Sequence, residues 1–422
     1  MKLSIGLCAF TALTLSPMLA HAQSDGGNFD RSRSVSVLQR PHPEYDALGV
    51  HLGGFMLYPR LETSLTYDDN IFSTDTNKLS DTYATVGGYA QLNSTWSRHA
   101  LSAQAYVVTD QYFNRTTESH TDYGASTTGR LDIVRGADAT ATLGYDRLTL
   151  PRYSIEDVQF LRDPLRYDAG RAAFTAEKEF NRLRLSGSYN WNNYRYDNGV
   201  TPGGVIVSEK YQDRDEQSYS GRVDYAISPD TSIYAVATGN DVSYSQNSSS
   251  VTDRNSTGFH VDGGADFDLT DLMRGHLQIG YLDQSFSNNT LFPETKGVSA
   301  SANIDYFLTP LTTINVHASR AFDSTGLANA AGYTATGAGG EVDYELRRNI
   351  IVTGKFDYEG DTFSGIDRRD TRYTTVLSGT YLLNRSVGVT GSFTHFVQNS
   401  NGALAGIDFA INRVDVKLTL RY

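Results

Sequence analysis

The last ten residues of the chain alternate without a break. Val414, Val416, Leu418, Leu420 and Tyr422 fall on one side of an extended backbone, and Arg413, Asp415, Lys417, Thr419 and Arg421 fall on the other. A helix repeats every 3.6 residues, so apolar residues at period two predict a strand with one apolar and one polar face. The same dyad recurs upstream. Leu57, Leu61, Leu65 and Tyr67 oppose Arg60, Glu62, Ser64 and Thr66, and Leu101, Ala103, Ala105 and Val107 oppose Ser102, Gln104, Tyr106 and Val108. Past residue 22, no stretch approaches the roughly 18 continuous apolar residues of a spanning helix. That excludes a helical membrane protein but not a barrel, where a closed sheet pairs every backbone group while every second residue stays polar. The mean hydropathy of -0.39 and the 27 tyrosines and 38 glycines suit such a wall. The net charge of -12 argues against a nucleic-acid partner.

Strand count follows from the connections. Eight short turns, such as Arg135–Asp138, Ser228–Thr231 and Thr309–Thr312, alternate with longer polar segments such as Asp68–Ser80, Leu150–Pro164, Asp197–Asp213 and Asp241–Thr257. The expected fold is all-β, a transmembrane antiparallel β-barrel of about 18 strands with short periplasmic turns and longer extracellular loops. Strands 9, around Ile233–Asn240, and 13, around Thr313–Arg320, are the least regular. A recurring segment sets the register. Val223-Asp224-Tyr225, Ala265-Asp266-Phe267, Ile304-Asp305-Tyr306 and Val342-Asp343-Tyr344 each precede a short turn, which puts all four at the periplasmic end. Tyr225, Phe267, Tyr306 and Tyr344 then form an interfacial aromatic girdle, and the aspartates face the lumen, where they either build an acidic mouth or pair with nearby cations. The terminal aromatic strand resembles the C-terminal strand through which the outer-membrane assembly machinery recognises its clients.

Three regions follow. Residues 1–22 read as a signal peptide, with Lys2, the apolar run Leu3 to Leu19 and the small-x-small site Ala20-His21-Ala22. Residues 23–51 are polar, aperiodic and rich in Arg and Pro, so a flexible periplasmic leader or a docking strand is expected, and residues 52–422 form the barrel. Cys8, the only cysteine, leaves with the signal peptide, which excludes a disulfide framework and thiolate chemistry.

Catalytic motifs are missing. There is no His-Glu-x-x-His, Gly-x-Ser-x-Gly or phosphate-binding loop, and the histidines are scattered singly. No catalytic, cofactor or metal residue is expected. Asp68-Asp69-Asn70 reads as a solvated loop entrance, lacking the glycine and following glutamate of a calcium loop. The third extracellular loop sets Arg152, Glu156, Asp157, Arg162 and Asp163 around Val158, Phe160 and Leu161. Such a loop suits a constriction folded into the lumen, and equally a loop packed on the rim. The expected pore lining comprises Tyr83, Tyr89, Gln91, Tyr106, Arg130, Asp132, Arg184, Arg222, Asp224, His260, Asp262, Asp266, Asp305, Asp343, Lys355, Asp357, Asp415 and Lys417. A barrel this wide holds a water-filled channel unless loops plug it. Its charges, amides and tyrosines suit sugars and a generic hydrated wall alike.

Three segments carry a resemblance to a family: Arg40-Pro41-His42-Pro43-Glu44-Tyr45-Asp46-Ala47-Leu48-Gly49 with Gly54-Phe55 and Tyr58-Pro59; Tyr67-Asp68-Asp69-Asn70-Ile71-Phe72; and Trp96-Ser97-Arg98-His99-Ala100-Leu101. They resemble the beta-barrel porin 2 family of outer-membrane proteins, often associated with exopolysaccharide production. Ala47 and His51 depart from the Pro and Arg of the pattern. The resemblance implies a channel that hands a secreted polysaccharide to the surface and works with a periplasmic export partner, surrounded by outer-membrane lipid and lipopolysaccharide. A sugar-selective or general diffusion porin for small solutes is the alternative, and a barrel-anchored surface enzyme or adhesin the third reading.

Overall fold

A computed structural model describes residues 28–29, 31, 34–157, 161–245, 253–269 and 272–422. The segment read as a signal peptide, and Val158 and Phe160 of the third loop, lie outside the described residues. Eighteen long strands make the barrel: β1 (Phe55–Asp68), β2 (Asp81–Ser94), β3 (Ala100–Tyr112), β4 (His120–Val134), β5 (Ala137–Thr149), β6 (Arg166–Phe180), β7 (Leu183–Tyr196), β8 (Arg214–Ser228), β9 (Thr231–Tyr244), β10 (Ser256–Leu269), β11 (Met273–Phe286), β12 (Thr295–Thr309), β13 (Thr312–Asp323), β14 (Gly332–Arg347), β15 (Ile350–Ser364), β16 (Arg369–Leu382), β17 (Val387–Asn401) and β18 (Phe409–Arg421). Each runs antiparallel to its neighbours, and β18 pairs with β1 from Arg60↔Arg421 to Asp68↔Arg413, so the sheet closes and leaves no edge.

Tight reversals join the strands at the periplasmic end. Two of them, Arg135-Gly136 and Asn181-Arg182, need a left-handed residue to match strand twist, and Gly136 and Asn181 supply it at φ +67° and +56°. At the other end the connections are longer but uneven: loop 3 spans 150–165, whereas the connection from Ser364 to Arg369 has only four residues between them.

Period two sorts the side chains. Leu61, Leu65, Tyr67, Val107, Leu143, Ile279 and Val416 are exposed on the outer, lipid-facing wall. Tyr225, Tyr306 and Tyr344 stand there at the periplasmic level, whereas Phe267, expected in the same girdle, is only 8% exposed. It lies on the outer face between its cross-strand partners Thr231 and Gly275. Strands β9 and β13 are regular in the structure. The alternation of β9 is blurred because its inward face holds the buried apolar residues Tyr234, Val236, Val242 and Tyr244.

The segment before the barrel is fastened where it is described. Asn28 donates from Nδ2 to the Asn181 carbonyl in the β6–β7 turn, and Phe29 lies under the Arg184 guanidinium. Arg31 donates to the Pro229 carbonyl, and Arg274 of β11 donates to the Ser34 carbonyl. Val37 N–H donates to Thr313 Oγ1 at 3.0 Å, and Arg40 pairs with Glu345 at 3.1 Å. Arg385 then holds the Pro43 carbonyl, and Arg421 the Tyr45 carbonyl. These anchors follow the barrel order from β7 round to β18, so the segment traces the inside of the periplasmic rim as a belt. Val50–Leu52 ends the belt by folding back on β1 through Gly53, at φ +62°.

Candidate functional site

The inward faces of the strands enclose the candidate site. On β2 and β3, Tyr83 stacks on Tyr112 at 4.6 Å and Tyr89 on Tyr106 at 6.4 Å. Gln91 continues this column toward the periplasm and donates to Asn93, while Gln104 donates to Ser126. Cross-strand pairing explains the column, because Tyr89 faces Tyr106 and Tyr83 faces Tyr112 in register. Tyr106 also donates from its hydroxyl to Asp146 at 2.9 Å.

The charged positions sit on the same face. Arg130 reaches Asp132 at 3.0 Å and Asp138 at 3.3 Å. Asp224 is held by Arg184 and Arg222, and Arg222 also pairs with Asp266. Asp305 pairs with Arg274 at 2.9 Å, whereas Asp343 accepts from the Thr353 hydroxyl at 2.6 Å. Three of the four recurring aspartates are therefore committed to arginine. His260 lies 3.9 Å from Asp262, which also accepts from Ser299. Asp357 takes His317 at 2.9 Å and Lys355 at 3.1 Å. Asp415 accepts from Thr66 at 2.9 Å, and Lys417 lies 3.6 Å from Glu62.

Loop 3 crosses the lumen. Its base is an apolar cluster of Leu150, Leu161, Leu165 and Tyr196 on its own side of the barrel. From there Tyr153 reaches Phe396 of β17 at 5.5 Å and lies under the Arg413 guanidinium of β18. Ile155 packs with Ala330, Tyr333 and Phe363, so it touches β14 and β15 on the far wall. Polar groups lock the crossing. Arg152 forms a fork with Glu118 of loop 2, at 3.0 and 2.9 Å, with both side chains buried. Glu156 accepts from Tyr196 at 2.9 Å, from Arg214 at 3.3 Å and from the Gly326 N–H at 2.7 Å. Asp157 lies 3.8 Å from Arg152, and its burial pushes its carboxyl up to about 7. Arg162 and Asp163 are different: among the described residues they pair with each other at 2.7 Å and stay open to solvent, unlike the buried Arg152 and Asp157.

Other loops interlock with it. Arg254 is fully buried, donates to the carbonyls of Thr325, Leu327 and Tyr211, and stacks on Tyr244 at 4.0 Å. Beneath the loops lies a pocket of about 230 Å³, walled by Tyr153, Tyr167, Tyr194, Tyr333 and Phe396 and carrying Arg214, Arg372, Glu216, Asp323, Asp357 and Glu359. Of these, sequence reading singled out only Asp357. The inward parity of Arg214, Arg372 and Glu359 was available from alternation, but nothing local marks Glu118 or Arg254, whose partners are remote in the chain.

The cluster Asp68-Asp69-Asn70 is not a solvated entrance. Asp68 and Asn70 are 1% and 0% exposed. Asp68 pairs with Arg413, Asp69 accepts from the backbone and side chain of Asn412, and Asn70 donates to the Ala410 carbonyl. Every one of these bonds ties loop 1 and β1 to β18, so the cluster seals the seam of the barrel. Among the described residues, no group of three or more His, Cys, Asp or Glu side chains is placed to hold a metal ion.

Solved structures of similar outline exist, at low identity. The ferric enterobactin receptor PfeA mutant from Pseudomonas aeruginosa matches with a TM-score of 0.48 at 7% identity, over 87% of this chain and 80% of that one. OpdK from the same organism, solved with vanillate, gives 0.44 at 10% identity over 87% and 99%, and OccAB3 from Acinetobacter baumannii gives 0.45 at 9% over 88% and 100%. A search of curated proteins gives no match. The family described as "Putative beta-barrel porin 2" matches residues 42–422, which is the whole barrel together with the last part of the belt. The chain belongs to that family and is a porin-like barrel of the bacterial outer membrane.

Proposed function

We propose that the barrel is a passive conduit carrying a secreted exopolysaccharide across the outer membrane, received from an export partner on the periplasmic side. The observation that supports this most is the column on β2 and β3, where Tyr83, Tyr112, Tyr89 and Tyr106 are followed by Gln91, Asn93 and Gln104. Ring faces and amides in succession along one wall suit a chain of sugar rings, which presents apolar faces and hydroxyl edges in the same order. Diffusion of small solutes is the second reading, favoured by the crossing of loop 3, which narrows the lumen by reaching the far wall. Single-channel recording separates the two. In planar bilayers, neutral oligosaccharides added on the periplasmic side should interrupt the current, and Tyr89→Ala with Tyr106→Ala should weaken that block about tenfold, as expected for two stacking contacts. A current indifferent to oligosaccharides at every concentration would leave the small-solute porin.

A further inference from the structure

The inward wall has a sign. Carboxylates on the inward faces outnumber arginines and lysines by about two to one, a density that sets the potential of an enclosed aqueous path. The basic side chains are, moreover, already occupied. Arg171 is held by Asp146, Arg184 by Asp224, Arg214 by Glu156, Lys355 by Asp357 and Arg372 by Glu359. A guanidinium locked against a carboxylate offers little to a passing anion, because its charge is neutralised and its donors are used. What remains unbalanced is acidic, and it recurs at different heights. Asp415 accepts from the Thr66 hydroxyl, Asp262 from that of Ser299 with the His260 imidazole 3.9 Å away, and Asp343 from Thr353 with Glu341 next to it on the same face of β14.

From this we infer that the lumen selects by charge, admitting sugar polymers whose units are neutral or carry amines and rejecting polyanions such as uronic-acid chains. Low-dielectric walls and excluded bulk water make each unpaired carboxylate count for more than it would at an open surface, so a chain of negative units meets repulsion along the whole path. An ammonium-bearing sugar meets the reverse: a carboxylate edge beside a ring face, as Glu216 and Asp357 share one pocket with Tyr194, Tyr333 and Phe396. The inference rests on the conduit reading for its substrate, but the sign of the lumen stands apart from it.

The test therefore has two arms on the refolded full chain. A salt gradient across a planar bilayer measures ion selectivity without any sugar. Potassium should pass several-fold more readily than chloride, and the variant Asp262→Asn/Asp343→Asn/Asp415→Asn should bring the ratio toward one. Chloride preference, or no preference in the wild type, overturns the inference whether or not the variant folds. The second arm compares oligomers of glucosamine, N-acetylglucosamine and galacturonic acid of equal length. Glucosamine oligomers should block at the lowest concentration and galacturonate oligomers at a concentration at least tenfold higher. Galacturonate blocking as well as glucosamine overturns charge selection while leaving the conduit intact. Block by none of the three, with potassium preference retained, removes the sugar conduit and leaves a cation-selective porin.

Discussion

Replacing Arg152 by alanine should raise the conductance of the channel severalfold. The crossing of loop 3 rests on few polar contacts, and the fork between Arg152 and Glu118 is the most buried of them. Removing the arginine strands Glu118 as an unpaired buried charge, and breaking a buried pair in this way costs about 3–5 kcal/mol. Every 1.4 kcal/mol is a factor of about ten in population, so even the lower figure moves a closed loop far toward its released state. Glu156→Ala should act in the same direction by freeing Arg214, Tyr196 and the Gly326 N–H together. Arg162→Ala is the control, since that side chain is exposed and, among the described residues, pairs with its neighbour. Conductance unchanged in Arg152→Ala would mean that the loop is held by its apolar contacts alone.

The same loop should respond to pH. Burial pushes the Asp157 carboxyl up to about 7, against the opposing pull of Arg152 and with Glu118 and Glu209 adding to the rise. A released loop returns the group to the ordinary carboxylate range. Its raised value in the packed loop means that the protonated form favours packing. That contribution is fully present near pH 4 and is lost as pH rises through about 7. Conductance should therefore be higher at pH 8 than at pH 5. Asp157→Asn should flatten the profile and hold the channel near its low-pH level.

The second large effect concerns the closure of the barrel. Asp68→Ala should lower the temperature at which the folded barrel opens in detergent by far more than any outward-facing substitution. Asp68 is 1% exposed and is the carboxylate partner of Arg413, which also carries Tyr153 of loop 3 on its face. Its loss leaves a half-buried guanidinium without its carboxylate at the β1–β18 seam, at a cost of about 3 kcal/mol, the low end for a buried pair. Removing both partners, in Asp68→Ala/Arg413→Met, should be milder than removing Asp68 alone, because no orphaned charge remains. Heat-dependent migration on a detergent gel reads both variants. A single variant as heat-stable as the wild type would show that the seam is carried by its backbone ladder alone.

Much of the architecture was legible because a membrane barrel obeys a local rule. Each strand must be apolar on one side, so Val414 to Tyr422 and Leu57 to Tyr67 declare themselves without reference to the rest of the chain. The eighteen strands follow from the turns between such runs. What the rule cannot reach is any contact between connections. Glu118 and Arg152 come from different loops, Arg254 binds carbonyls more than seventy residues away, and neither pair leaves a period in the sequence. The belt escaped for a related reason. Scattered contacts to turn and strand-end residues hold it, and an aperiodic segment with Arg and Pro looks the same free or fastened. Asp68-Asp69-Asn70 misled because three polar residues beside a loop normally face water, whereas here the ends of the sheet meet over them.

Cysteine accessibility tests the central claim most directly, namely that the polar face of β2 and β3 lines the conducting path. Cys8 is the only natural cysteine, so single labels are clean in a Cys8→Ala background. Gln104 lies on the inward face of β3, where it donates to Ser126, and Val107 lies on its outer face, 48% exposed. A charged thiol reagent added during recording should reduce the current through Gln104→Cys and leave Val107→Cys unchanged. Block at Val107→Cys with none at Gln104→Cys would invert the faces, and block at neither would place the path elsewhere than along this wall.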